Sequence, residues 1–132
     1  MKKIYISCHP KERNIIKVKE MIDFLKKNEV DIKFHDRSSQ EENQDNRLDF
    51  IENCDVFITV LSNNYKSNSR LLFELDYAKS LRRVRTHIGE NQKPKIFGLK
   101  TSSFNQLNCF VDLTDIIWAD NSLGKENLLS LL

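Results

Sequence analysis

The chain has 132 residues, of which 39% are hydrophobic and 30% charged, a composition that excludes disordered, collagenous and low-complexity proteins. Its length corresponds to one domain with a single hydrophobic core. Lys and Arg total 21 against 19 Asp and Glu, and the resulting net charge of +2 gives no case for a protein that binds nucleic acid directly.

The cysteines and the apolar runs indicate a reducing, aqueous compartment. Cys8, Cys54 and Cys109 are odd in number and widely spaced, which is typical of free thiols rather than of disulfides or a zinc site. No apolar run approaches the roughly 18 residues that span a bilayer, and the amino terminus lacks the apolar core of a signal peptide. The sequence therefore predicts a cytoplasmic protein without membrane contact. We expect a single domain over residues 1–132, and a longer multidomain parent stays open.

The first half of the chain alternates strand and helix patterns. Lys3 to Ser7 is a short β-rich run, and Pro10 stands where a first helical turn tolerates its missing N–H. Apolar residues recur at helical spacing from Ile15 to Leu25. Val30 to Phe34 alternates apolar and polar residues, as a strand does. A long polar loop is predicted from His35 to Asn46, and a short helix follows it.

The second half continues the alternation. Cys54 to Leu61 is a continuous apolar run, as expected for a strand that is covered on both faces of a parallel sheet. A long helix is predicted from Ser69 to Arg85, a fourth strand from Ile96 to Leu99, a fifth from Phe110 to Leu113, and a last helix from Asn121 to Leu132. Alternating strands and helices predict an α/β fold. We expect a flavodoxin-like three-layer sandwich, in which a five-stranded parallel sheet of order 2-1-3-4-5 carries helices on both faces.

The predicted topology places a candidate site between strands 1 and 3. In an open parallel sheet, ligands bind beyond the carboxyl ends of the strands, where the strand order reverses. Polar residues that can hydrogen-bond a hydroxyl-rich or phosphate-bearing ligand follow strands 1, 2 and 3. They are Ser7, Cys8, His9, His35, Asp36, Arg37, Ser62, Asn63, Asn64 and Tyr65.

Several familiar sites are absent from the sequence. Neither a GxGxxG fingerprint nor a P-loop occurs, and the three histidines lack the spacing of metal ligands. A phosphoacceptor receiver needs acidic residues after strand 1, whereas Ser7-Cys8-His9 stands there and Asp55 lies at the wrong end of strand 3. A Cys8–His9 nucleophile pair is a further candidate, although a cysteine in this setting is more often a small buried hydrophobe.

Glu74 is the most informative single residue. It stands among bulky apolar neighbours in the helix that follows strand 3. A carboxylate there is either a solvated helix residue or a group that borders the crevice and binds sugar hydroxyls or a ribosyl cation. Its position alone supports both interpretations equally.

Together these residues resemble a Toll/interleukin-1 receptor (TIR) domain of bacterial type. Ile4-Tyr5-Ile6-Ser7 resembles the first strand of the family. Asp55 to Tyr65, DVFITVLSNNY, resembles its third strand with the exit that follows, and Leu72-Phe73-Glu74-Leu75 falls at the spacing of its helix glutamate. The likeness covers nearly the whole chain, and no single motif in it is decisive.

The resemblance implies an NAD+ nucleosidase in which the glutamate matching Glu74 is catalytic. Enzymes of this family cleave the bond between nicotinamide and ribose, which gives nicotinamide with ADP-ribose or a cyclic ADP-ribose product. NAD+ is then the substrate, and no cofactor or metal is expected. In a bacterium the expected role is that of effector or signal producer in antiphage defence, together with a sensor domain or partner protein.

The resemblance also assigns His35 to Asn46 to the BB loop of the family. TIR domains associate with one another through this loop and the neighbouring helices, so that self-association of this chain is expected. Phe34 is a candidate ligand contact, but ordinary packing in the core is the interpretation that we favour for it. Arg37 is a candidate phosphate contact or, equally well, a free surface charge. The candidate substrate contacts are Ser7, Cys8, His9, Phe34, Arg37, Ser62, Tyr65 and Ser69.

The chain departs from the family at Arg70-Leu71, where many members have Trp-Cys, at Asn68, where a serine is common, and at Cys8, where an aromatic residue is usual. The missing Trp-Cys pair favours the alternative function, a non-catalytic scaffold or adaptor that acts by self-association and does not need Glu74, whereas the presence of Glu74 favours the enzyme. A nucleoside deoxyribosyltransferase is a weaker third hypothesis. Such an enzyme requires a second acidic group near strand 1, and the sequence offers none there.

Overall fold

The structure is a computed structural model that describes residues 1–34, 44–101 and 116–118, together with residues 128 and 130. Its strands are β1 (Lys3–Ser7), β2 (Asp31–Phe34), β3 (Val56–Leu61), β4 (Lys95–Lys100) and β5 (Ile116–Trp118). Its helices are α1 (Ile16–Lys26), α2 (Gln44–Asn53), α3 (Asn63–Lys66) and α4 (Ser69–His87), and a 3₁₀ helix covers Pro10–Glu12. Within this described part of the chain, no helix is long and apolar enough to cross a membrane.

The strands form a parallel sheet in which β1 lies between β2 and β3, and β3 lies between β1 and β4. The short strand β5 pairs in parallel with β4. The prediction of an α/β fold with a parallel sheet and the order 2-1-3-4 is confirmed. The predicted fifth strand, Phe110 to Leu113, lies outside the described residues, as does most of the predicted last helix, Asn121 to Leu132.

Two apolar clusters cover the two faces of the sheet, because side chains of a strand alternate between faces. Ile4, Ile6 and Cys8 pack with α1 in the first cluster, which also holds Leu128. Tyr5 packs in the second cluster with α2 and α4. Every residue of β3 is buried, which agrees with its prediction as a strand covered on both faces. The carboxyl ends of β1 and β3 are thereby fixed side by side, with α4 beneath one face.

Several element ends differ from the sequence prediction, and one short helix was not predicted. Pro10 begins the 3₁₀ helix, and α1 starts only at Ile16. The predicted loop from His35 to Asn46 was wrong at its carboxyl end, because α2 already begins at Gln44; residues 35–43 lie outside the described part of the chain. The first turn of α2 is polar, and a polar segment that precedes the first buried residue is easily interpreted as loop. Finally, Ser62 caps an unpredicted short helix, α3, by accepting a hydrogen bond from the N–H of Tyr65.

Burial of the two described cysteines predicts inert thiols. Burial raises the pKa of the Cys8 and Cys54 thiols to about 12, and the thiolate is the form that reacts with alkylating agents. We expect iodoacetamide at pH 8 to modify both residues roughly 10³-fold more slowly in the native protein than in the denatured protein. Mass spectrometry of the peptides after timed alkylation measures each rate separately. Rapid alkylation of native Cys8 would contradict the packing described above.

Candidate functional site

A buried carboxylate stands where β1, α2 and α4 meet. Glu74, in the second turn of α4, is only 2% exposed. The hydroxyl of Tyr5 donates a hydrogen bond of 2.9 Å to its Oε2, and the hydroxyl of Ser7 donates one of 2.9 Å to its Oε1. Because Tyr5 and Ser7 are two residues apart on β1, both side chains point to the α4 side of the sheet. Strand β1 therefore supplies one hydrogen-bond donor to each oxygen of the Glu74 carboxylate.

Arg47 of α2 supplies the positive charge beside this carboxylate. Its guanidinium NH1 lies 3.4 Å from Oε2 of Glu74, and the two side chains are 10% and 3% exposed. An ion pair so well removed from water depends on additional hydrogen bonds to offset the desolvation of both charges. Tyr5 and Ser7 provide such bonds to the carboxylate.

A second layer of hydroxyl groups supports Ser7. Its Oγ lies 2.8 Å from the hydroxyl of Tyr65, and that hydroxyl also lies 3.1 Å from the carbonyl oxygen of Leu71. The proton of Ser7 is directed to Glu74, and the single hydroxyl proton of Tyr65 is directed to the Leu71 carbonyl oxygen. The close contact with the Tyr65 oxygen nevertheless fixes Ser7 beside Glu74, and all three residues are buried.

The two tyrosines of this network stay protonated at neutral pH. Burial raises the pKa of Tyr5 far above its usual range, and the neighbouring Glu74 charge adds to the effect. Burial likewise raises the pKa of Tyr65. Both hydroxyls are therefore hydrogen-bond donors rather than bases. The fixed arrangement of donors holds the Glu74 carboxylate in one orientation.

A polar surface cleft of about 360 Å³ lies at the start of α4. Its lining residues come from the loop after β1, from α3 and from the first turn of α4. They are His9, Asn64, Ser67, Asn68, Ser69 and Arg70. Asn68 caps α4, since its Oδ1 accepts hydrogen bonds from the N–H groups of Arg70 and Leu71. The cleft thus occupies the carboxyl ends of β1 and β3, where the topology predicts a ligand site.

The cleft and the carboxylate are neighbours along α4. Glu74 follows Arg70 by four residues, which is about 6 Å along a helix axis, and it points towards β1. The cleft walls are tied together by Asn64, whose side-chain amide donates a hydrogen bond of 2.8 Å to the buried Glu12. Glu74 itself is buried and is not among the residues that line the cleft.

The structure distributes the predicted site residues that it describes over four places. Ser7 and Tyr65 join Glu74 in the buried network, and His9 and Ser69 line the cleft. Ser62 is buried and caps α3.

The fourth place is the α1 side of the sheet. Cys8 and Phe34 belong to the cluster on the α1 side of the sheet, and the Arg13 guanidinium lies 5.1 Å from the centre of the Phe34 ring. This packing agrees with the alternative that assigned Phe34 to the core. Arg37 lies outside the described residues.

Two residues of the network, Tyr5 and Arg47, were absent from the predicted site. Tyr5 lies within the apolar run of β1, so that it was interpreted only as part of a strand. Its hydroxyl two positions before Ser7 was a usable signal, because residues i and i+2 of a strand share a face. Arg47 carries no comparable signal, since its contact with Glu74 spans 27 residues and depends on the placement of α2.

Among the described residues, no group of three or more His, Cys, Asp or Glu side chains could hold a metal ion. No protein-family model matches the sequence, and no curated protein is significantly similar to it.

Proposed function

We propose that the chain is a TIR-type NAD+ nucleosidase with a flavodoxin-like fold and the five-strand order 2-1-3-4-5. The observation that carries this proposal is the buried, donor-held carboxylate of Glu74 beside a polar cleft at the carboxyl ends of β1 and β3. The resemblance of the β1, β3 and α4 segments to TIR domains supplies the reaction and the substrate.

In the proposed reaction, the bond between ribose C1′ and the nicotinamide nitrogen breaks, and its electron pair goes to nicotinamide. The leaving group thereby becomes neutral and needs no acid catalyst, whereas the ribose gains positive charge. The Glu74 carboxylate stabilises that charge electrostatically. Water then attacks C1′, loses a proton to solvent and gives ADP-ribose. Capture by a hydroxyl or by the adenine of the same molecule gives a cyclic product instead.

Substrate access requires a rearrangement around Glu74, because both carboxylate oxygens hold protein donors. Arg47 is the donor most easily moved, since it lies in the first turn of α2, directly after the proposed BB loop. Association of this loop with a second copy would shift the start of α2 and with it Arg47. We therefore expect turnover to depend on self-association.

The second candidate function is a scaffold or adaptor that works through self-association alone. It is favoured by the same contacts, because a carboxylate whose two oxygens are already bonded to Tyr5, Ser7 and Arg47 also has a purely structural explanation. Under either function we place the protein in the cytoplasm. As an enzyme it would be the effector or signal producer of an antiphage system with a sensor domain or partner protein.

The test of the proposed function is nicotinamide release from NAD+ by the purified chain, followed by chromatography over protein concentrations from micromolar to millimolar. We expect release that rises more steeply than in proportion to protein concentration, with ADP-ribose or a cyclic product as the second product. Fusion of the chain to an oligomer-forming partner is expected to raise the rate further. A folded chain that releases no nicotinamide under either condition would contradict the enzyme and support the scaffold.

A further inference from the structure

The polar cleft at the start of α4 contains an amide whose orientation is fixed by a buried carboxylate. Nδ2 of Asn64 donates a hydrogen bond of 2.8 Å to Oε1 of Glu12. Glu12 ends the 3₁₀ helix after β1 and is buried, whereas Asn64 lies in α3 and lines the cleft. Because an ionised carboxylate only accepts hydrogen bonds, the Asn64 amide turns its NH₂ group to Glu12. The two ends of an asparagine amide are alike in shape, and here the carboxylate decides between them.

This orientation leaves the side-chain carbonyl of Asn64 for a ligand. Within the described part of the chain, Oδ1 of Asn64 has no hydrogen-bond partner. Asn68 is the other asparagine that lines the cleft, and its Oδ1 already accepts two hydrogen bonds from the first turn of α4. Of these two side-chain carbonyls, that of Asn64 is therefore the one that can accept a hydrogen bond from a bound molecule.

The cleft also carries a positive charge. Arg70 has the one permanent charge among the six described residues that line it, and Glu12 is not one of the six. Arginine suits phosphate because its guanidinium donates two parallel hydrogen bonds to phosphate oxygens. A ligand that fits the cleft thus presents a hydrogen-bond donor to Asn64 and an anionic group to Arg70. A ribose phosphate has both groups, and a cleft of about 360 Å³ is large enough for it.

We propose that the cleft binds the ribose phosphate part of a nucleotide, that Oδ1 of Asn64 accepts a hydrogen bond from a ribose hydroxyl, and that Glu12 is the positioning residue that holds Asn64 in this orientation. Glu12 acts only through Asn64, since it occupies the NH₂ group and so turns an amide that meets donors or acceptors into one that meets donors. The choice of ligand rests on the proposed function, because NAD+ contains ribose and phosphate, whereas the orientation of Asn64 rests on the hydrogen bonds alone.

Isothermal titration calorimetry with AMP tests the proposal. AMP contains a ribose and a phosphate, and it lacks the bond that the proposed reaction cleaves, so that binding is measured without turnover. Asn64→Ala is expected to bind AMP about 10-fold more weakly than the parent chain, because one hydrogen bond to the ligand is lost. Asn63→Ala is the matched control, since Asn63 is the exposed neighbour of Asn64 and does not line the cleft. It is expected to bind AMP as the parent does.

Analogues of AMP distinguish recognition by Asn64 from a purely structural role. We expect the parent chain to bind either 2′-deoxy-AMP or 3′-deoxy-AMP about 10-fold more weakly than AMP, and Asn64→Ala to bind that analogue and AMP equally well. A residue that only ties the cleft walls together would weaken AMP and both analogues by the same factor. Arg70→Ala is expected to weaken binding of AMP but not of adenosine, which lacks the phosphate.

An exchange of the two side-chain types tests the role of Glu12. Glu12→Gln leaves the orientation of Asn64 undetermined, because an amide both donates and accepts, and we expect it to bind AMP about 5-fold more weakly. Asn64→Asp places two carboxylates in contact and is expected to bind AMP more weakly still. The combined variant again pairs one amide with one carboxylate and turns an acceptor to the cleft. We expect it to bind AMP more tightly than either single variant.

A parent chain that does not bind AMP would overturn the proposal. So would equal binding of AMP and both deoxy analogues, or an Asn64→Ala variant that discriminates between them as the parent does. If Asn64→Ala does not fold, Glu12→Gln carries the same test, because it keeps the shape of both side chains and is expected to lose most of the discrimination. AMP binding that depends on Asn64 in a chain without nicotinamide release contradicts only the enzyme. Nicotinamide release by a chain that does not discriminate between the analogues contradicts only this role of Asn64.

Discussion

Glu74→Gln is expected to lower nicotinamide release from NAD+ by about 10²–10³-fold, the range found when one preorganised electrostatic contact to a transition state is removed. The amide keeps the shape of the side chain and an oxygen that accepts from Tyr5 or Ser7, but it lacks the negative charge that stabilises a ribosyl cation. The turnover number at saturating NAD+ measures the effect, and we expect it to fall more than the Michaelis constant changes.

The controls for this prediction separate charge from position and from folding. Glu20→Gln removes an exposed carboxylate from α1, on the other side of the sheet, and is expected to leave the turnover number unchanged. Glu74→Asp keeps the charge but withdraws it from the β1 hydroxyls. Because misplacement by about 1 Å can cost 10²-fold in rate, we expect it to be nearly as inactive. A folded Glu74→Gln variant with full turnover would remove Glu74 from the reaction and favour the scaffold.

The fold was predictable from the sequence where local pattern and tertiary packing agree. Val56–Leu61 is apolar throughout and is buried throughout, so that its position at the centre of a parallel sheet follows from composition alone. The ends of elements were less predictable. The short helix Asn63–Lys66 depends on a single cap by Ser62, and a run of Ser and Asn residues predicts a turn equally well.

The candidate site was predictable only in part, for a related physical reason. Glu74 stood out because a carboxylate among apolar residues needs partners when it is buried. The partners themselves lie 69, 67 and 27 residues away in sequence, at Tyr5, Ser7 and Arg47. Strand alternation relates Tyr5 to Ser7, yet nothing local relates either of them to Arg47. The sequence thus indicated the charge that requires compensation, and the arrangement of β1, α2 and α4 determined which groups compensate it.

The contacts of Glu74 also predict a large effect on stability that is independent of catalysis. Arg47 and Glu74 form an ion pair with side chains only 10% and 3% exposed, and removal of one partner from a buried pair leaves the other charge uncompensated. We expect Glu74→Gln and Arg47→Met each to lower the free energy of unfolding by about 3 kcal/mol. Urea titrations followed by circular dichroism measure each loss.

The double variant distinguishes a coupled pair from two independent side chains. Glu74→Gln together with Arg47→Met contains neither buried charge, so that we expect a total loss of about 3 kcal/mol rather than the roughly 6 kcal/mol of two additive changes. Additive losses, or single losses below about 1 kcal/mol, would show that the pair contributes as little as a surface salt bridge. Arg47→Met alone separates the two roles of Glu74, because we expect it to lose as much stability as Glu74→Gln while it keeps the carboxylate. If Arg47→Met still releases nicotinamide and Glu74→Gln does not, the missing activity follows from the absent carboxylate and not from a weakened fold.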